Sequence, residues 1–241
     1  MKALIFSAGL GTRFKPWTDK HPKALALVNG KTLLQRNIEY LQQYGIKDVI
    51  VNVHHFAEQI IDTVNKNKGW GSNITISDER NELLETGGGL LHAQKYFTEG
   101  EKFITCNVDI LINLDINKLL QFHETNKPLI SFGVTDRKTS RYFLFDENNR
   151  LTGWENIKTG EKKIIIDSSA ERLAYSCVAI FEYRVFELMK KYGFSGKFSL
   201  TDLYLALAKD NVILGYNHTG DKLIDVGKPE SIIAAEQLFP N

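Results

Sequence analysis

Through the first half of the chain, short apolar runs alternate with amphipathic helical stretches, and this alternation constrains the fold more than any other feature. Leu4-Ile5-Phe6 reads as a buried strand. Thr32 to Tyr44 puts Leu34, Ile38, Leu41 and Tyr44 on one helical face, and Val49-Ile50-Val51 follows as a second strand after a turn at Gly45. The pattern continues with a helix over 57–66, a strand over 74–77, a helix over 89–96 and a strand over 103–107. Such an order predicts an α/β fold with a mixed, mostly parallel central sheet and helices on both faces. The second half changes character. Runs at 129–134, 142–145, 151–154, 163–166 and 175–181 are joined by Asn/Gly turns, which suggests antiparallel additions to the same sheet. Helices return at 184–192, 200–209 and 229–238. No Pro/Ser-rich linker, low-complexity tract or repeat period interrupts the sequence, so one domain over 1–241 is expected.

Composition narrows the function classes. With 241 residues, 43% of them apolar, the chain can fill a core of that size. A formal net charge of +1 calls for neither nucleic acid nor an anionic membrane as partner. No apolar run approaches a membrane span, and the one at the N-terminus is too short for a signal peptide. Cys106 and Cys177 are the only cysteines, too few for a disulfide framework or a zinc cluster, so a cytoplasmic setting is expected.

The first strand leads directly into Ser7-Ala8-Gly9-Leu10-Gly11-Thr12-Arg13-Phe14-Lys15-Pro16. Small residues let the backbone approach a ligand, and successive N–H groups can cradle phosphate oxygens. A dinucleotide fingerprint would need a third glycine where Phe14 stands and a helix opening at once, whereas Pro16 and Pro22 delay the next helix. A P-loop would need a Gly-Lys-Ser/Thr ending, which is missing. A third arrangement keeps two cations: Arg13, with a planar fork for phosphate oxygens, and Lys23, in His21-Pro22-Lys23-Ala24-Leu25, as a point charge on the same anion.

Gly9-Leu10-Gly11-Thr12-Arg13-Phe14-Lys15-Pro16-Trp17-Thr18, taken with Pro22-Lys23, resembles the signature of the sugar-1-phosphate nucleotidyltransferases. Phe14 and Trp17 replace a more usual Met or Leu, and Ala24 a frequent Pro. Leu84-Glu85-Thr86-Gly87-Gly88-Gly89, together with Val51-Asn52-Val53-His54-His55, is most similar to the N-acetylmuramate 1-phosphate uridylyltransferases within that family. The resemblance implies a Rossmann-like fold of the nucleotide-diphospho-sugar transferase type, without the C-terminal β-helix of larger relatives. It further implies a nucleotide-binding half over 1–115 and a sugar-binding half over 116–241.

The implied activity is transfer of UMP from UTP to a sugar 1-phosphate, N-acetylmuramate 1-phosphate above others, with release of pyrophosphate, in cell-wall sugar recycling. Other hexose or heptose 1-phosphate nucleotidyltransferases, a phosphocholine cytidylyltransferase and a non-catalytic nucleotide-binding regulator are the alternatives. The regulator would be expected to lack Arg13, Lys23, Asp109 or Asp225, and all four are present. The expected partners are a nucleoside triphosphate and the sugar phosphate, on a monomer or small homo-oligomer.

The same resemblance assigns residues. Arg13 and Lys23 are the catalytic cations. Ala8, Gly9, Gly11, Thr12, Arg13 and Lys23 bind the nucleotide's phosphates, and Glu85 with the backbone of Gly87 and Gly88 recognises the base. Asp109, in Cys106-Asn107-Val108-Asp109, and Asp225, in Asp225-Val226-Gly227-Lys228-Pro229-Glu230, hold Mg²⁺. Asn107 and Glu155 contact the sugar. Asn156 is assigned beside them in the place of a lysine that meets the sugar phosphate in related enzymes, with Lys158 or Lys162 as possible substitutes. His54-His55 reads as a hydrogen-bonded or solvated pair. Pro229 is expected at a first helical position.

Overall fold

A computed structural model describes residues 1–240. In chain order the elements are β1 (Lys2–Phe6), β2 (Leu27–Val28), β3 (Lys31–Thr32), α1 (Leu33–Gln42), β4 (Asp48–Val53), α2 (Ala57–Lys66), β5 (Asn73–Asp78), α3 (Glu85–His92), β6 (Phe103–Asn107), β7 (Ile110–Ile112) and α4 (Ile116–Asn126). They continue with β8 (Ile130–Thr135), β9 (Arg141–Phe145), β10 (Leu151–Asn156), β11 (Glu161–Ile164), β12 (Glu171–Phe181), α5 (Val185–Lys191), α6 (Leu200–Ala208), β13 (Ile213–Asn217), β14 (Leu223–Asp225) and α7 (Ser231–Leu238).

The main sheet runs β11-β10-β9-β12-β6-β1-β4-β5, with β8 also paired to β12 and β13 to β8. Its heart is parallel. β1 pairs β4 on one side (Ile5 opposite Val51) and β6 on the other (Ile5 opposite Cys106), and β5 continues beyond β4. The chain winds from β1 through β4 to β5 and then crosses back to β6. The order of strands therefore reverses beside β1, and open α/β sheets bind ligands outside the carboxyl ends of strands at such a reversal. The second half adds β12 antiparallel to β6 (Val178 opposite Cys106), and β9, β10 and β11 follow as an antiparallel meander.

Alternation along β1 divides the core. Ala3 and Ile5 point to a layer with Ile38 and Leu41 of α1, while Leu4 and Phe6 point to the other face with Leu90, Phe186 and Tyr204. On that second face Phe103 stacks on Phe181 with centroids 5.2 Å apart and planes inclined by 2°. Two buried layers around one sheet hold the carboxyl ends of β1 and β6 rigidly at the same level.

Most expected elements form, and the differences have local causes. The helix expected over 89–96 starts at Glu85 and turns 3₁₀ after His92. The Gly87 and Gly88 N–H groups at its first turn are capped by the Phe198 carbonyl, at 2.9 and 3.2 Å, a partner 110 or more residues away that periodicity does not reveal. The strand expected over 163–166 forms over Glu161–Ile164, because its pairing with β10 places Lys163 opposite Trp154. Pro229 is not at a first helical position. It lies in the turn before α7, where its carbonyl accepts the Ile232 N–H at 3.1 Å. The strands β2, β3, β7 and β13 and the helix α4 are additional to the sequence reading.

Candidate active site

The glycine loop leaves β1 at the strand reversal, and its first two amides are already engaged. Asn52, at the end of the neighbouring β4, accepts the Ser7 N–H at 2.6 Å and the Ala8 N–H at 3.2 Å on its Oδ1. The Ser7 hydroxyl donates to the Asn52 carbonyl. Among the described residues, the N–H groups of Gly9, Leu10 and Gly11 make no hydrogen bond within the chain, which leaves three successive donors at the mouth of the sheet. Ala8 lines the cleft there, but its amide is not among the open donors. Gly11 has φ +61°, and a Cβ on it would lie 2.8 Å from Thr18 Cγ2. Only glycine lets the loop fold back there, where the Gly11 carbonyl also accepts the Thr18 hydroxyl at 2.9 Å.

Asn52 is itself held. Its Nδ2 donates to Glu79 Oε1 at 3.0 Å, and Glu79 is 3% exposed. Burial pushes the Glu79 carboxyl up to about 7; the Asn52 hydrogen bond pulls it down and the nearby Asp78 pushes it further up. Its Oε2 has no hydrogen-bond partner. A Glu-Asn relay therefore aims the first turn of the glycine loop. An isolated Asn in the apolar run Val49-Ile50-Val51-Asn52-Val53 was the one sequence signal for it. His54 donates its Nδ1–H to the Glu79 carbonyl, 2.7 Å away, so it is a hydrogen-bonded histidine.

A cleft of ≈ 320 Å³ opens over this loop, lined by Ala8, Gly9, Lys23, Asn52, Leu83, Glu85, Thr86, Asn107 and Asp109 among others. It unites three of the sequence motifs. Lys23 reaches Asp109 in a largely buried ion pair. Asn107 ends β6, two residues before Asp109. Glu85 carries φ +59°, an unusual conformation for a residue with a side chain, and faces Lys197 at 3.5 Å.

The two aspartates are brought together by a short second ladder. β14 runs antiparallel to β7 with Asp225 opposite Ile110, and the Val226 N–H donates to the Asp109 carbonyl at 2.8 Å. A Cβ on Gly227 would sit 2.7 Å from Asp225 Oδ1 and 3.0 Å from an Arg13 Nη atom, so the guanidinium and the carboxylate crowd the same glycine. Loss of surrounding water raises the Asp225 carboxyl above its ordinary range and the charge of Asp109 adds to this, while Arg13, Lys23 and Arg137 pull it down. Two neighbouring carboxylates whose negative charges repel suit a hard divalent cation. Among the described residues no third His, Cys, Asp or Glu joins them. The pair would thus fit Mg²⁺ if water and phosphate oxygens complete its shell.

Three assigned groups stand differently from expectation. The Gly87 and Gly88 amides are spent on Phe198, so they are not open to a base. Those glycines instead let the loop before α6 lie against α3: a Cβ on Gly87 would be 2.3 Å from the Phe198 ring, and one on Gly88 2.2 Å from the Gly196 carbonyl. Asn156 is the last residue of β10 and caps the hairpin turn. Its Oδ1 accepts the Lys158 N–H at 3.1 Å and its carbonyl the Gly160 N–H at 2.8 Å, which closes the β10–β11 hairpin. Glu155 is buried in an ion pair with Arg172 and borders a different hollow, shared with Lys162 and Asp167, that has no lining residue in common with the cleft. Lys158 is exposed on the hairpin turn.

Comparison with known proteins adds four findings. A family model described as nucleotidyl transferase matches residues 2–240. The chain is 29% identical over 240 residues to N-acetylmuramate alpha-1-phosphate uridylyltransferase of Caulobacter vibrioides, covering 97% of this chain and 95% of that one. Over 59 residues, 24% of this chain and 26% of the other, it is 51% identical to choline-phosphate cytidylyltransferase of Streptococcus pneumoniae. Among solved structures, HddC from Yersinia pseudotuberculosis complexed with GMP-PN superposes with a TM-score of 0.79 at 25% identity over 98% of both chains.

Proposed function

The chain belongs to the nucleotidyl transferase family, and on that premise we propose that it transfers UMP from UTP to a sugar 1-phosphate, N-acetylmuramate 1-phosphate in particular, with release of pyrophosphate. The observation that carries this reading is the meeting of the open glycine-loop amides, Lys23, Asp109 and Asp225 at the strand reversal beside β1. In this reading the protein works in cell-wall sugar recycling in the cytoplasm. No helix of the described residues is long and apolar enough to cross a membrane, in keeping with small-molecule substrates.

The reaction needs placement and charge more than proton transfer. A phosphate oxygen of the acceptor attacks the α-phosphorus, a new P–O bond forms in line with the bond that breaks, and pyrophosphate leaves with the electron pair. The attacking oxygen is already anionic, so no general base is required. The Gly9, Leu10 and Gly11 amides and the Arg13 fork receive the departing phosphates. Lys23 offsets charge at the α-phosphate while its ion pair orients Asp109. Asp109 and Asp225 would hold Mg²⁺, which when bound neutralises developing phosphate charge. Holding both reactants in line supplies much of the rate enhancement in such transfers.

Asn107 in the cleft contacts the acceptor, and Glu85 with Thr86 meets the base. Cytidylyl transfer to a phosphoryl acceptor is a second reading, favoured by the 59-residue match. One experiment separates them: each nucleoside triphosphate with Mg²⁺ against a panel of sugar 1-phosphates and phosphocholine, read as pyrophosphate release. UTP with N-acetylmuramate 1-phosphate should lead. A CTP or GTP preference in competition would sink the uridylyl reading.

A further inference from the structure

Resting on the nucleotidyl-transfer reading, we propose that Arg137 receives the phosphate of the acceptor, in the role for which the hairpin residue Asn156 is unfitted. Arg137 lies two residues past the end of β8, where that strand pairs with β12 (Thr135 opposite Ala174, Val134 opposite Tyr175). β12 is irregular just beyond this point. Its register shifts between Tyr175 and Ala179, and Cys177 adopts φ +59° before Val178 resumes pairing with Cys106 of β6. β6 then runs into Asn107 and Asp109, so the end of β8, the bulge and the cleft are neighbours along one edge of the sheet.

The guanidinium is only partly used. One Nη donates to the Tyr175 carbonyl at 3.0 Å, which pins the group to the bulge, but its Nε is buried without any hydrogen-bond partner among the described residues. The Thr135 hydroxyl, two residues earlier, is buried without a partner as well. Buried donors of a native protein are nearly always satisfied, so two unmet groups at one strand end indicate a ligand that supplies the missing acceptor. The Tyr175 carbonyl that holds it lies three residues before Val178, which pairs with Cys106 next to Asn107 of the cleft. A partly anchored guanidinium has a fork available for two oxygens of one anion. The ligand chemistry is therefore a tetrahedral oxyanion at the edge of the sheet where the bulge meets the Asn107 end of β6. Arg13 and Lys23 stand with the glycine loop where the triphosphate enters, which leaves Arg137 to the second phosphate-bearing substrate.

The test uses the whole chain and two readouts. Calorimetric titration of inorganic phosphate into protein saturated with Mg²⁺ and an α,β-methylene nucleoside triphosphate probes the anion site without turnover. Steady-state pyrophosphate release gives Michaelis constants for both substrates. In Arg137→Ala, phosphate affinity should fall roughly 10- to 100-fold, as for loss of a charge-assisted hydrogen-bond pair. The Michaelis constant for the sugar phosphate should rise similarly, with that for the nucleotide within about twofold. Arg137→Lys should recover part of the loss and free guanidinium should rescue Arg137→Ala. Failure of the wild-type protein to bind phosphate, or equal binding by the variant, overturns the proposal. So does a joint rise of both Michaelis constants with a lowered melting temperature, which would make Arg137 only a brace for the bulge. Phosphate binding that depends on Arg137, in a protein that releases no pyrophosphate with any sugar phosphate, would reject the substrate reading and leave this one standing.

Discussion

Replacing Glu79 by Gln should stabilise the protein at alkaline pH and give no benefit in acid. Glu79 is 3% exposed, one oxygen accepts from Asn52 and the other has no partner. Its carboxyl stands at about 7 against 4.5 for an ordinary glutamate, chiefly through burial, so ionising it in the fold costs about 3 kcal/mol more than in the unfolded chain. The sign follows from proton binding. Between 4.5 and about 7 the folded state holds the proton and the unfolded state releases it, so wild-type stability declines as pH rises through that window and the full penalty is present above it. Gln has no such penalty. Its amide still accepts from Asn52, but its N–H groups take the place of an oxygen that had no partner, which costs about 1 kcal/mol. The net gain is about 2 kcal/mol at pH 8, or roughly 4–8 °C in melting temperature for a chain of this size. Near pH 5 the gain should vanish. Thermal unfolding of both proteins in chelator across pH 5 to 8.5 measures this. A gap that stays flat with pH, or a variant less stable than wild type at pH 8, would refute the account of Glu79 as a buried, costly carboxyl.

Other outcomes follow from the site. Asp109→Asn and Asp225→Asn should each lower turnover by roughly a thousandfold, as loss of a metal carboxylate does, while far-ultraviolet circular dichroism stays native; near-normal pyrophosphate release in either removes that residue from the metal site. Arg13→Ala and Lys23→Ala should both be severe, and Arg13→Lys should restore only part of the rate because lysine lacks the planar fork; full activity in the lysine variant would show that charge alone suffices. Gly87→Ala should destabilise by about 1–3 kcal/mol, since the added methyl would sit 2.3 Å from the Phe198 ring, and an unchanged denaturant midpoint would show that the ring moves freely. N-acetylmuramate 1-phosphate should be preferred over N-acetylglucosamine 1-phosphate by roughly 10- to 1000-fold in kcat/KM, since an unmet buried partner costs a few kcal/mol; equal use of the two would show that the lactyl group is not read.

The parallel half of the sheet was legible because each strand is a short run of β-branched and aliphatic residues between amphipathic helices, as in Val49-Ile50-Val51 before α2. The strand β13 escaped because Gly215 and the polar Tyr216-Asn217 break its apolar pattern. The glycine loop, Lys23 and Asp109 could be placed in one cleft from their motif. Glu155 and Asn156 could not, because the hairpin that carries them is fixed by cross-strand pairing that no local pattern reports. Gly87 and Gly88 carry two possible meanings, access for a ligand and access for another segment of chain. Only the position of Phe198 shows that the second applies to their amides. Arg137 was invisible for a simpler reason: its interest lies in a hydrogen bond that is not made.

The ladder between β7 and β14 also bears on when the site comes into existence. The Asp109 carbonyl accepts the N–H of Val226, the neighbour of Asp225, across more than a hundred residues of chain, and closing so long a loop is among the slower events of folding. A chain emerging from the ribosome carries its phosphate loop, Lys23 and Asp109 early. It acquires the second carboxylate only when β14 has been synthesised and has found β7. Until then Asp109 has Lys23 as its ion-pair partner but not the neighbouring carboxylate. If the two aspartates are the metal pair, the arrangement would make catalytic competence a late reporter of complete folding.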